Sequence, residues 1–254
     1  MIYSLKRGEP KKGWVLVVHG LGEHIGRYDK LIDMLVKEGF CVIGFDLPGH
    51  GKSSGKRGNT TIEDIVEIID ELTKSVNRFT VFGHSLGGLI AIRYTELRPQ
   101  KVNNLVVSSP ALNIEMKSSQ KAMMSIFSVL APSLTVNNGI NPNLLSRNKS
   151  AVEKYISDSL VHDRISVRLA KSMMKNIELA HEQAERIICP VSILIGTDDK
   201  VTLPDGARKF FDELKTENKT LREFPGGYHE LFEDPEHAES FYESIIHYIK
   251  QYNE

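Results

Sequence analysis

Residues 79–88, Phe-Thr-Val-Phe-Gly-His-Ser-Leu-Gly-Gly, constrain the fold more than any other stretch of the chain. A run of β-favouring apolar residues passes straight into Gly-x-Ser-x-Gly and then, with no linker, into the helical pattern of Leu86–Leu97. Only a very sharp strand-to-helix turn joins such elements, and a serine at its apex holds its hydroxyl clear at a helix N-terminus. Gly83 and Gly87 remove side chains that would clash inside that turn. The pentapeptide alone also fits a tight βα turn with an incidental serine. The strand before it and the helix after it favour a turn that presents Ser85 as a nucleophile.

Around this turn, short apolar runs alternate with longer helical patterns, as in βαβ units building a parallel sheet. Strands are expected at 2–6, 14–18, 41–45, 79–82, 104–108, 191–195 and 220–224, and helices at 27–38, 62–76, 86–97 and 235–249. Thr61 or Thr60 is the expected N-cap of the second helix, and Pro235 suits a first helical turn. Gly8 through Gly13 reads as a hairpin joining the first two strands, making that edge antiparallel. Between Pro110 and Ile188 no strand is evident. The expected fold class is therefore α/β, a mostly parallel doubly wound sheet. Residues 1–110 and 188–254 would form its core, and 111–187 a helical cap lying over the strand C-termini, where open α/β sheets bind ligands.

Bulk properties narrow the function classes. The 254 residues carry 32 basic and 33 acidic side chains, so the clustered basic excess of a nucleic-acid footprint is lacking. Cys41 and Cys189, the 2 cysteines, read as buried thiols and not as a disulfide framework. The first residues lack the apolar core of a secretory signal, and no run approaches the roughly 18 apolar residues of a membrane span. A soluble cytoplasmic protein is expected, able to rest peripherally on a membrane.

A serine hydroxyl attacks only when a base takes its proton, so a histidine oriented by a carboxylate is required. In strand–turn–helix hydrolases the parts follow in the order Ser, acid, His. Of 9 histidines, His229 lies just past the final strand, in Pro-Gly-Gly-Tyr-His-Glu. His237 and His247 fall within the last expected helix, and His162 and His181 within the cap. The strand at 191–195 runs into Gly-Thr-Asp-Asp-Lys-Val, which offers Asp198 and Asp199; adjacent residues point apart, so one can serve. The oxyanion needs two donors. The amide of Leu86, the residue after the nucleophile, is one, and the His19-Gly20 turn that ends an earlier strand points to the amide of Leu21 as the other.

Two motifs imitate other chemistries. Residues 14–46 look like a dinucleotide-binding unit, with Gly20-Leu21-Gly22 after a strand and Asp46 after the next. The third glycine should fall at position 25, which is Ile25. A dinucleotide-dependent oxidoreductase is accordingly an alternative from another class, and stabilisation by the cofactor in a thermal-shift assay would distinguish it. Gly49-His50-Gly51-Lys52-Ser53 imitates a phosphate-binding loop, but Asp46 stands where that loop needs glycine.

With these residues in place, the sequence resembles the monoacylglycerol lipase branch of the α/β-hydrolases, which also includes lysophospholipases. The resemblance is carried by His-Gly-Leu-Gly-Glu-His-Ile-Gly-Arg-Tyr (19–28), Asp-Leu-Pro-Gly-His-Gly-Lys-Ser (46–53), Gly-His-Ser-Leu-Gly-Gly (83–88) and Gly-Tyr-His-Glu (227–230). Gly-Thr-Asp-Asp-Lys-Val (196–201) matches the branch's acid loop and favours Asp199. Leu145 to Ser150, with Tyr155 and Asp158, extends the likeness into the cap. The branch usually has eight strands where seven are visible here, and Phe232 replaces a polar residue of some members. The resemblance implies a serine esterase acting on single-chain glycerides through Ser85, His229 and Asp199, with no metal or organic cofactor.

Residues 120–134 are apolar over too wide an arc for a helix facing water. They either pack onto the domain below or line an acyl tunnel and dip into a membrane interface, where Met123, Met124 and Phe127 adapt to flexible chains. The reading favours a small lipid ester as substrate. A short-chain carboxylesterase, a lysophospholipase and a peptidase are runners-up, and a non-catalytic binding protein of the same fold is the rival from another class.

Overall fold

The computed structural model describes residues 1–114 and 127–252. Seven strands form one sheet: β1 (Ser4–Arg7), β2 (Gly13–Val18), β3 (Phe40–Phe45), β4 (Phe79–His84), β5 (Val102–Ser108), β8 (Val191–Gly196) and β9 (Lys219–Phe224). Their spatial order is β1-β3-β2-β4-β5-β8-β9, with every pair parallel except β1 with β3.

Alternation along the central strands divides the core in two. Leu16, Val18, Val81, Leu105, Val107, Ile193 and Ile195 point to one face, where they meet α2 (Ile62–Leu72), α3 (Leu86–Leu97) and α5 (Val167–Glu182). Val15, Val17, Phe82, Val106 and Leu194 point to the other, against α1 (Asp29–Lys37) and α7 (Ala238–Gln251). A strand covered on both faces has no polar side, which is why these strands read as unbroken apolar runs. Each fully buried Val, Leu or Ile side chain contributes roughly 1.5–3 kcal/mol. The second helix is capped as its sequence suggests: the Thr61 hydroxyl accepts from the Asp64 amide at 3.1 Å, with Glu63 and Asp64 in the first turn of α2.

Three expectations are corrected. The 8–13 connection is not a hairpin, because β1 pairs with β3 and not with β2. Both edges of β2 are occupied by the parallel neighbours β3 and β4, so the free edge of β3 is the one left for β1. The stretch between Pro110 and Ile188 does contain strands: β6 (Thr135–Asn137) and β7 (Arg164–Ser166) pair antiparallel. At three residues each they are too short to show alternation. The last helix begins at Ala238, so Pro235 and His237 lie in the turn before it. Between β8 and β9 runs α6 (Pro204–Glu213), a helix the apolar pattern did not suggest.

The chain leaves β2 toward β3 on one side and returns to place β4 on the other. Loops that follow β2 and β4 therefore diverge, opening a crevice at their C-terminal ends. Residues 127–187, inserted between β5 and β8, contribute α4 (Lys149–Ser157) and α5, the latter through Leu169, Met173, Ile177 and Ala180 in the first core.

Candidate active site

Ser85 stands between β4 and α3 with φ 56° and ψ −120°. For a residue with a Cβ this left-handed conformation costs of order 1–3 kcal/mol and persists only when its surroundings impose it. They do so here. The Ser85 amide donates to the Ser108 carbonyl at 2.9 Å, and its carbonyl accepts from the amides of Leu89 at 3.1 Å and Ala111 at 3.0 Å. A Cβ on Gly87 would run into the carbonyls of Val18 and His19, so the end of β2 lies flush against the start of α3.

His229 sits in the turn after β9, almost wholly buried, and its Nδ1–H donates to Asp199 Oδ2 at 2.7 Å. Its carbonyl accepts from the Ser109 hydroxyl at 2.9 Å, which fastens the turn to the end of β5. Asp199 Oδ1 accepts from the amides of Val201 at 2.7 Å and Thr202 at 3.1 Å, and the Thr202 hydroxyl lies 3.0 Å from Oδ2. Asp198 is exposed and turned elsewhere, so of the two aspartates it is Asp199 that bonds the imidazole. Burial opposes charge on both partners. For His229 the charge and hydrogen bond of Asp199, followed by the charges of Glu230 and Glu23, prevail and hold the imidazole above its ordinary value. For Asp199 burial is likewise outweighed, by the His229 charge and by hydrogen bonds from His229 and the two amides, and the carboxyl is held below its ordinary value.

Ser85 and His229 line one small cavity of about 10 Å³, together with Glu23, Tyr155 and Glu230. Among the described residues no hydrogen bond joins the two catalytic candidates, a common state in free hydrolases, where such bonds tighten once substrate is bound. His84 packs its ring 4.8 Å from that of His229. Burial, followed by the His229 charge, pushes His84 down to about 3, so it stays neutral beside the base.

Ser85 also lines a second cavity of about 720 Å³, within the roughly 300–1,000 Å³ range of ligand pockets. Leu21 and Leu86 share its wall with apolar side chains that include Phe127, Leu134, Met173 and Met174. Leu86 opens α3, where an amide has no acceptor within the helix. Of the expected apolar substrate contacts, Phe127 reaches this cavity, whereas Met123 and Met124 lie outside the described residues.

Sequence reasoning missed a buried polar group beside the site. Arg27 forks onto Glu230 at 2.6 and 2.8 Å and also reaches Glu23 at 2.8 Å. The only signal in the sequence was a Glu four residues before an Arg, a spacing that usually marks a solvated helix face. Asp46, the acid of the dinucleotide-like stretch, accepts from the amides of Ile25 at 2.8 Å and Lys52 at 2.7 Å. Oδ2 thus holds the 46–52 turn, while Oδ1 ties that turn to the segment after β2. Cys41 and Cys189 are buried free thiols.

Residues 9–236 match the Hydrolase_4 family, described as serine aminopeptidase, S33. The chain is 32% identical to Phospholipase YtpA of Bacillus subtilis over 89% of its own length and 91% of that protein. It is 30% identical to the Monoglyceride lipase of Homo sapiens, covering 98% of this chain and 86% of that one. An abhydrolase domain-containing protein of Dictyostelium discoideum is 33% identical over 98% of this chain, which spans 28% of that longer protein. Among solved structures, the monoacylglycerol lipase of Paleococcus ferrophilus superposes with a TM-score of 0.97 at 49% identity, covering 99% of both chains.

Proposed function

The chain belongs to the Hydrolase_4 family and has the α/β-hydrolase fold, and from that premise we propose that it hydrolyses monoacylglycerols to a fatty acid and glycerol. It is a carboxylic ester hydrolase. The observation that carries the finer reading is the place of Ser85 at the wall of two unlike cavities. One is large and mostly apolar, suited to an acyl chain; the other, lined by Glu23, His84, Tyr155 and Glu230, has room for about one water beside the reacting ester.

In the proposed mechanism Ser85 Oγ attacks the ester carbonyl while His229 Nε2 takes its proton. Asp199 keeps the other imidazole proton on Nδ1 and stabilises the imidazolium that results. The amides of Leu21 and Leu86 hold the oxyanion. His229 then passes its proton to the departing glycerol oxygen, leaving an acyl-enzyme on Ser85. Water activated by the same imidazole attacks that ester and releases the fatty acid. Residues 111–187 are the proposed cap over this site. The relative named a phospholipase favours a second reading, a lysophospholipid substrate. The carboxylates of Glu23 and Glu230 beside Ser85 argue against a phosphate close to the reacting ester.

Labelling with a fluorophosphonate probe, followed by turnover of 1- and 2-monoacylglycerols, triglycerides, lysophospholipids, p-nitrophenyl esters and peptides, tests the reading. A Ser85 adduct, its loss in Ser85→Ala, and highest kcat/KM on monoacylglycerols are expected. An active Ser85→Ala variant would overturn the mechanism, and preference for lysophospholipids would overturn the substrate.

A further inference from the structure

We propose that the buried chain of Glu23, Arg27 and Glu230 is a positioning device that orients the peptide presenting the Leu21 amide and ties it to the histidine turn. The proposal rests on the reading of Ser85, His229 and Leu21 given above and adds three side chains that touch no reacting atom.

Geometry leads to it. Glu23 Oε1 accepts from the Gly20 amide at 2.6 Å and from the Tyr28 hydroxyl at 2.7 Å, while Oε2 takes Arg27 at 2.8 Å. The 20–23 turn is thereby closed by its own carboxylate. With the Gly20 amide held on Glu23, the next amide, that of Leu21, has no acceptor among the described residues and belongs to a residue that lines a cavity with Ser85. A Cβ on Gly20 would come within 2.8 Å of Glu23 Oε1 and 3.1 Å of Ser85 Cβ, so only glycine lets the carboxylate and the nucleophile approach the same peptide. Arg27 carries the connection onward: its fork on Glu230 grips the residue that follows His229. The Glu230 amide in turn donates to the Leu145 carbonyl at 2.7 Å, and the Arg27 guanidinium lies 4.8 Å from the centre of the Tyr155 ring and 5.4 Å from that of Phe232. The turn after β2, the turn after β9 and α4, through Tyr155, all meet on one guanidinium.

Burial gives this chain an electrostatic consequence as well. Side-chain exposures of 4% for Glu23, 10% for Arg27 and 4% for Glu230 place three charges where screening by water is weak. Two carboxylates on one guanidinium leave a single excess negative charge. The groups facing His229 are Asp199 from the loop after β8, His84 from β4, Glu23 and Arg27 from the loop after β2, and Glu230 beside it. His84 is held neutral, so the excess charge adds to that of Asp199 and favours the imidazolium that forms when Ser85 attacks.

The test uses Glu23→Ala, Glu23→Gln and Glu230→Gln in the whole chain, with kcat and KM on a monoacylglycerol and the pH profile of kcat/KM. Loss of an oxyanion donor costs about 10²–10³-fold in kcat, and Glu23→Ala is expected in that range with little change in KM. Glu23→Gln keeps an oxygen that accepts from the Gly20 amide and is expected to recover at least about tenfold of that loss. Glu230→Gln is expected to move the acid limb of kcat/KM to lower pH. A glutamine variant no better than alanine, a loss confined to KM, or an unmoved acid limb would each overturn the proposal. If Glu23→Ala fails to melt cooperatively by circular dichroism, the Glu230→Gln profile decides alone. Failure of the Ser85 reading is distinguishable, because it would show as missing fluorophosphonate labelling in the unaltered enzyme.

Discussion

Replacing Asp199 with asparagine exploits a loop that dictates which way the new amide must turn. Asp199 Oδ1 faces two backbone donors, Val201 at 2.7 Å and Thr202 at 3.1 Å, while Oδ2 receives His229 Nδ1–H at 2.7 Å. Asparagine has one carbonyl oxygen and one amino group. Turning the amino group toward the Val201 and Thr202 amides would set donor against donor at two buried positions, at about 1–3 kcal/mol each. The carbonyl therefore occupies the Oδ1 side and the amino group faces His229. Nδ1 must then accept, so the proton of the neutral imidazole sits on Nε2, the nitrogen that has to receive the Ser85 proton. A base in the wrong tautomer costs roughly 10⁴-fold in kcat, equivalent to about 5 kcal/mol of transition-state stabilisation.

The assay is turnover of a p-nitrophenyl ester by Asp199→Asn and by Asp198→Asn, with thermal melts of both. Asp199→Asn keeps both amide bonds and is expected to fold while losing about four orders of magnitude in kcat. Asp198→Asn, at an exposed position, is expected to stay within about twofold. Asp199→Asn retaining more than about a tenth of the activity would refute the tautomer reasoning. A comparable loss in Asp198→Asn would refute the choice of acid.

Since His229 is held above its ordinary value of 6.5 and must be neutral to accept a proton, kcat/KM is expected to fall as pH drops through a midpoint above 6.5; an acid limb centred below that would contradict it. Arg147 forks onto the buried Asp234 at 2.9 and 2.7 Å, and Arg147→Met is expected to cost about 3 kcal/mol, lowering Tm by roughly 6–12 °C. The Asp234 carboxyl is held below its ordinary value, burial being outweighed by Arg147 and two backbone amides. Its contribution is present above the usual carboxylate range and lost as pH falls through the lowered value, so the gap between variant and wild type should narrow in acid melts. Ala170→Trp, on the wall of the large cavity, is expected to lower kcat/KM for long-chain glycerides at least tenfold more than for acetyl esters, as comparison across chain lengths would show.

The five central strands were legible because each carries enough apolar, β-branched residues to be recognised without its neighbours. What single strands do not encode is which edge they meet. Residues 8–13 hold turn-forming glycines, yet β1 bypasses β2, whose two edges are taken by β3 and β4. That choice depends on the whole sheet and has no local signature. The same reason hid β6 and β7, which exist only as a pair.

Positions in the site were legible in proportion to how much of their chemistry is backbone geometry. The turn at Ser85 needs glycines that a reader can see, and His229 and Asp199 follow strands whose ends can be located from apolar runs. Glu23, Arg27 and Glu230 are different: by composition they are three charged residues in or beside turns, the commonest solvated pattern there is. Their burial arises only when the turn after β2 and the turn after β9, more than two hundred residues apart, close on one another. A charge buried alone costs too much to keep, and a guanidinium between two carboxylates is stable there only because both turns are held in place. The converse also holds, since each turn is held in place by the guanidinium. Such mutual dependence makes the cluster a sensitive reporter of site geometry, and a change at any of its three members should be felt at both the oxyanion amide and the imidazole.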